Sequence, residues 1–181
     1  MAHVAKWWML ALWPDWLRRR MQQPEEMVGR WVHEGMTVAD LGCGLGFLTL
    51  PMAEMVGAGG RVLAVDLQEA MLSRLERRAR RRGLLERIEL RQCGERDLGL
   101  DGGLDFAVSL NVAHEVPDAG RFFAQIRAAL KGEGRYLLIE PIFHVPKGRF
   151  EGFCELAQRE GLWPLERPVI ASSRAVLFGP R

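Results

Sequence analysis

Two carboxylates and three glycines stand where ligand chemistry could be arranged. Asp40 sits near the end of the apolar run "TVADL", and Gly42, Gly44 and Gly46 follow it at every second position. Glycine opens backbone conformations closed to other residues and lets a ligand approach the main chain. A helical pattern begins near Gly46, so unpaired N–H groups and the positive end of a helix dipole face the same spot. A second acid, Asp66, ends the run "RVLAVD". A carboxylate placed there can accept hydrogen bonds from both hydroxyls of a ribose. Leu67, next in sequence, offers an apolar surface to a flat base.

The spacing separates two classes of nucleotide ligand. A dinucleotide fingerprint needs G-x-G-x-x-G, with a pyrophosphate resting on the helix N-terminus. Here Phe47 occupies the position of the last glycine. Asp40 would repel a pyrophosphate and would attract a cation such as an amino-acid ammonium. The residues therefore ask for a nucleoside joined to a zwitterionic amino acid, which describes S-adenosylmethionine. A tight structural turn at the glycines, and a helix N-cap at Asp66, are the plainer readings of the same residues.

Positioning these groups requires a particular architecture. Apolar runs at 37–41, 61–66, 88–92, 104–110 and 134–140 are expected strands. Amphipathic stretches at 46–56, 68–82, 118–130 and 149–160 are expected helices between or after them, with Gly83 closing the second. Strands alternating with helices imply a mostly parallel sheet covered on both faces. "PVIA" (168–171) and "AVLF" (175–178) lack a helix between them and are expected to pair as a hairpin. The expected fold is α/β, a doubly wound, Rossmann-like sheet with one antiparallel strand from that hairpin. Residues 1–33 form an expected N-terminal helical cap, and 34–181 the cofactor-binding domain of the same folding unit.

The stretches "VADLGCGLGFLTL", "VLAVDLQEAML", "LDFAVSLNVAHEVPD" and "RAALKGEGRYLLIEP" occur in that order. In this respect the chain resembles class I S-adenosylmethionine-dependent methyltransferases from about Pro24 to the C-terminus. The resemblance implies a seven-stranded sheet and S-adenosyl-L-methionine as cofactor. It implies that Asp40, Leu41, Gly42, Cys43, Gly44 and Gly46 line the methionine end of the cofactor. It also implies that Asp66 holds the ribose, Leu67 lies against the adenine, and Asn111 presents its backbone to the amino group. Where the family often has Gly-Asp-Ala after the third strand, this chain has Cys93-Gly94-Glu95. Gly94 and Glu95 are accordingly the residues expected at the adenine amine.

The stretch "NVAHEVPD" follows a strand and so reaches the same edge of the sheet. His114 and Glu115 are the weak candidates there for a general base; packing under the loop and solvation are their plainer roles. Glu140 and His144 also face that edge and could touch a substrate or serve structure alone. Transfer of a methyl group to a good nucleophile needs alignment more than proton transfer. No catalytic base is therefore assigned from sequence.

Composition narrows the partners. The 181 residues carry a formal net charge of +2, too little to imply a polyanion. The arginine run at 74–82 contains Glu76 and no aromatic residue for base stacking, so a solvated helix face is expected and not a nucleic-acid site. Cys43, Cys93 and Cys154 form no CxxC pair, which fits a reducing, cytoplasmic setting and no metal site. The apolar run from Trp7 to Trp13 is much shorter than the roughly 20 residues of a membrane span. Trp7, Trp8, Trp13, Trp16 and Trp31 suit a lid, an interfacial helix, core packing or a homodimer contact. The expected activity is methyl transfer to a small-molecule acceptor, apolar if the tryptophans cap the site. A non-catalytic S-adenosylmethionine- or nucleoside-binding regulator is the alternative on the same scaffold.

Overall fold

A computed structural model of the chain describes residues 23–181. The apolar runs form β1 (Thr37–Leu41), β2 (Arg61–Asp66), β3 (Ile88–Gln92) and β4 (Leu104–Leu110). Side chains alternate across each strand. Val38, Val62, Phe106 and Leu137 therefore enter one core, and Ala39, Leu63, Ala107 and Tyr136 the other. Helices α1 (Pro24–Val28), α2 (Thr49–Met55) and α3 (Glu69–Arg81) cover the first face. Helices α4 (Ala119–Ala129) and α5 (Lys147–Arg159) cover the second. With β5 (Leu130–Pro141), β6 (Leu162–Glu166) and β7 (Ser173–Pro180), the strands form one seven-stranded sheet in the order β3-β2-β1-β4-β5-β7-β6. Strand β7 alone runs opposite in direction to the other six.

Local signals account for the helix ends. Asp118 caps α4, its carboxylate accepting the N–H of Arg121 at 3.0 Å. Gly83, at φ +67°, follows α3 as the expected terminator. Helix α2 starts three residues later than the amphipathic pattern begins, because Gly42, Gly44 and Gly46 all have positive φ and cannot continue a helix. The apolar stripe of α4 buries Phe122, Phe123, Ile126 and Ala129. Each such phenylalanine is worth roughly 1.5–3 kcal/mol in transfer free energy.

One strand lies elsewhere than the sequence led us to expect. The hairpin partner of β7 is Leu162–Glu166, not "PVIA". The strand contains Pro164, which a parallel interior strand would reject, but β6 is the sheet edge, where a missing N–H faces outward. Val169 is fully exposed, outside the sheet altogether. Trp31 is partly buried and packs against the first core, stacked on Phe106 with centroids 6.3 Å apart. The other four tryptophans of the expected cap, and most of that cap, lie outside the described residues. No described helix is long and apolar enough to cross a membrane.

Candidate active site

The strand order reverses between β1 and β4, which are neighbours in the sheet although β2 and β3 intervene in sequence. The loops leaving two such strands diverge and open a crevice at their carboxyl ends. A cavity of about 410 Å³ occupies that crevice.

The β1 loop forms its floor. Asp40, Gly42, Cys43 and Gly44 line the cavity. Leu41 does not, being buried in the second core. The three glycines serve three ends. A side chain on Gly42 would run into Val112, and one on Gly46 into Leu75 of α3. Gly46 is therefore a packing residue and not a cavity wall. Gly44, at φ +52°, has nothing within 4 Å of where a Cβ would stand, so its backbone faces open space. Arg78 of α3, which also lines the cavity, fastens this loop by donating to the Leu45 carbonyl at 2.6 Å.

Two buried acids stand behind the loop. Thr49 Oγ1 donates to Asp40 Oδ2 at 2.5 Å. Burial pushes the Asp40 pKa up to about 7, opposed by the Thr49 bond and reinforced by the charge of Asp66. Asp66 accepts the N–H of Gly44 on one oxygen and of Gln68 on the other, both at 2.8 Å. It thus makes an Asx turn into α3 and braces the glycine loop, while each oxygen keeps a lone pair for a ligand hydroxyl. Burial raises its pKa against those bonds. Leu67, half-buried beside it, lines the cavity.

The segment after β3 supplies the opposite wall. Gly94 and Glu95 line the cavity, with Cys93 before them and Asp97 and Leu98 after. What holds this wall is a clamp from α4 that the sequence did not suggest. Gln125 accepts the N–H of Leu98 at 2.8 Å and donates to the Arg96 carbonyl at 3.3 Å. Arg121 donates to the same carbonyl at 2.7 Å. The only signal in sequence is a pair of polar residues one helical turn apart on an amphipathic helix, which is common on any solvated face. The thiols here are poor nucleophiles: burial pushes the pKa of Cys93 up to about 11 and that of Cys43 well above its usual range.

Asn111 closes the end of β4. It holds φ +62°, a strained conformation for a residue other than glycine. Its backbone N–H is taken by the Ile139 carbonyl at 2.8 Å, so its main chain can offer a ligand only the carbonyl oxygen. The side-chain Oδ1 is buried and has no hydrogen-bond partner. A buried acceptor left unsatisfied costs about 1–3 kcal/mol and asks for a donor. An amino-acid ammonium supplies one, so the residues present fit the cofactor that the sequence suggested.

Beyond Asn111 the two weak candidates, His114 and Glu115, also line the cavity. Glu140, wholly buried at the end of β5, accepts the N–H of Ala113 at 2.7 Å and pairs with His114 Nδ1 at 2.5 Å. The glutamate's hydrogen bond is the main cause that raises the His114 pKa above its ordinary 6.5, against a smaller opposing effect of burial. His144 stands nearby, its ring centroid 6.4 Å from that of His114.

Residues 38–134 match the family model described as "Methyltransferase domain". The chain belongs to this family. Its family and fold are those of the class I S-adenosylmethionine-dependent methyltransferases, a class whose cofactor is S-adenosylmethionine. It is 31% identical over 110 residues to demethylmenaquinone methyltransferase of Lactobacillus johnsonii, covering 60% of this chain and 45% of that protein. It is equally 31% identical over 109 residues to nocamycin O-methyltransferase of Saccharothrix syringae, covering 60% of this chain and 39% of the other. The matches thus span less than half the length of either relative. In structure it is similar to a SAM-dependent methyltransferase from Aquifex aeolicus, with TM-score 0.80, 23% identity, and coverage of 91% and 93% of the two chains.

Proposed function

We propose that the protein transfers a methyl group to a small-molecule acceptor bound at the His114 end of the crevice. The observation that carries this reading is the junction of two kinds of surface in one cavity. One end has the open backbone of Gly44, the buried acids and the unsatisfied Asn111 oxygen; the other has His114, Val116, Pro141 and His144.

When bound, S-adenosylmethionine supplies a methyl group activated on a positively charged sulfur. The chain's own residues do the rest. Asn111 Oδ1 and Asp40 would hold the ammonium, Asp66 the ribose hydroxyls, and Leu67 with the 93–98 wall the adenine. The clamp from Gln125 and Arg121 keeps that wall in place before a ligand arrives, which lowers the ordering cost of binding. Rate then comes mainly from holding nucleophile, methyl carbon and leaving sulfur in line in a site that excludes water. The similarity to a demethylmenaquinone methyltransferase and to a nocamycin O-methyltransferase supports a small-molecule acceptor.

Titration calorimetry with S-adenosylhomocysteine, with NADH run beside it, tests the cofactor half. Binding of the first and not the second is expected. Asp66→Ala removes a group bonded to the glycine loop and facing the ribose, and is expected to weaken binding about tenfold or more. Unchanged affinity in that variant would remove Asp66 from the site.

A further inference from the structure

Glu140 and His114 are arranged as a proton-accepting pair. The glutamate has no exposure to solvent, and both its oxygens are committed, one to Ala113 N–H and the other to His114 Nδ1. A carboxylate so placed accepts from Nδ1–H and fixes the tautomer of the neutral ring, leaving the lone pair on Nε2. His114 lines the cavity, and the nearest acid to its Nε2 is Glu115, at 3.9 Å and beyond hydrogen-bond reach. The main chain of His114 is held as well, because Arg149 of α5 donates to its backbone carbonyl at 3.0 Å. The charged and titratable groups facing this histidine are therefore Glu140 from β5, Glu115 from its own loop, Arg149 from α5 and His144 from the β5–α5 loop. Two carboxylates favour the imidazolium and one guanidinium opposes it.

A site that merely aligned a ready nucleophile, such as a thiolate or a neutral amine, would have no use for this pair. From this geometry we infer that the acceptor carries a weakly acidic hydroxyl on an aromatic or enolic system, and that His114 Nε2 takes its proton. The inference rests on the methyltransferase reading above and names the substrate class for that site. The O–H bond breaks, the proton passes to Nε2, and the electron pair stays on the oxygen and its conjugated carbons. That pair forms the new bond to the methyl carbon, while the pair of the methyl–sulfur bond stays with sulfur. The imidazolium, stabilised by Glu140, then releases its proton to water. Glu140 is a positioning residue; His114 is the group that touches substrate.

The test combines two measurements on the same proteins. Imidazole ¹⁵N resonances of His114, followed against pH in the unliganded protein, report its tautomer and its titration. Labelled methyl transfer is then assayed with naphthalenediols, phenols and enolic diketones, and with thiols and amines beside them. In the wild type, the Nδ1–H tautomer is expected, with a midpoint above that of an ordinary histidine. Only hydroxyl-bearing acceptors should be methylated, with kcat/KM rising to a plateau at the midpoint read by NMR. His114→Ala should lose about 100-fold or more in kcat/KM while keeping S-adenosylhomocysteine affinity. Glu140→Gln keeps an acceptor for Ala113 N–H but presents an amide donor to Nδ1. It should move the proton to Nε2, lower the midpoint and abolish the pH-dependent rise. Methylation confined to thiols or amines, no methylation of any hydroxyl acceptor, or a pH profile indifferent to Glu140→Gln would overturn the inference. Failure of the wild type to bind S-adenosylhomocysteine would instead overturn the reading on which it rests. Product analysis separates oxygen from carbon methylation, and either fits the proton transfer.

Discussion

Asp40 shows how a residue type can be legible in sequence while its physical state is not. Its place at the strand end marks it for a cation, but its pKa depends on Thr49 and on burial. Its folded pKa of about 7 lies above the ordinary 3.8, so between those values the folded chain holds a proton that the unfolded chain has released. Asp40 therefore favours folding at low pH, and this contribution is lost as pH rises toward about 7. Melting of wild type and Asp40→Asn across that range should show the variant losing less stability as pH rises. A ligand ammonium reverses the balance by favouring the carboxylate, so S-adenosylhomocysteine affinity should climb with pH through the same window. Parallel pH curves for both proteins would show that Asp40 does not titrate there. The glycines teach the same lesson: their spacing is plain, but Gly42 answers to Val112 and Gly46 to Leu75, residues far along the chain.

At the scale of elements, periodicity placed β1 to β4 and β7, because buried strands and helix stripes carry strong patterns. It missed β6, where Trp163 and Leu165 are exposed and Pro164 argues against a strand. Edge position removed the burial that makes a strand readable. The clamp from α4 to the 93–98 wall was equally hidden, since Gln125 and Arg121 bond to backbone atoms that only the fold brings near. The seam between the glycine loop and α3 gives a sharp prediction. Gly46→Ala must hold φ +81° and displace Leu75, a fully buried side chain of α3. Overpacking and strain together should cost about 1–3 kcal/mol of stability, read by urea unfolding. A loss within error of zero would mean the loop moves freely against α3.

For the molecule as a whole, the order β3-β2-β1-β4-β5-β7-β6 puts the two sets of chemistry at one crevice. Asp40 and Gly44 arrive from β1, Asp66 from β2, Asn111 from β4 and Glu140 from β5, all at carboxyl ends. The sequence named most of these groups, because each ends a recognisable strand. It could not show that Glu140 and His114 meet, since their pairing spans the βαβ crossover through α4. The central claim is that this crevice holds S-adenosylmethionine with its amino-acid end at Asn111 and its ribose at Asp66. A crystal structure of the complex with S-adenosylhomocysteine tests it most directly. We predict the ligand ammonium within hydrogen-bond distance of Asn111 Oδ1, the ribose hydroxyls on Asp66, and the sulfur facing His114. A ligand seated elsewhere, or one that leaves Asn111 Oδ1 without a partner, would contradict the account.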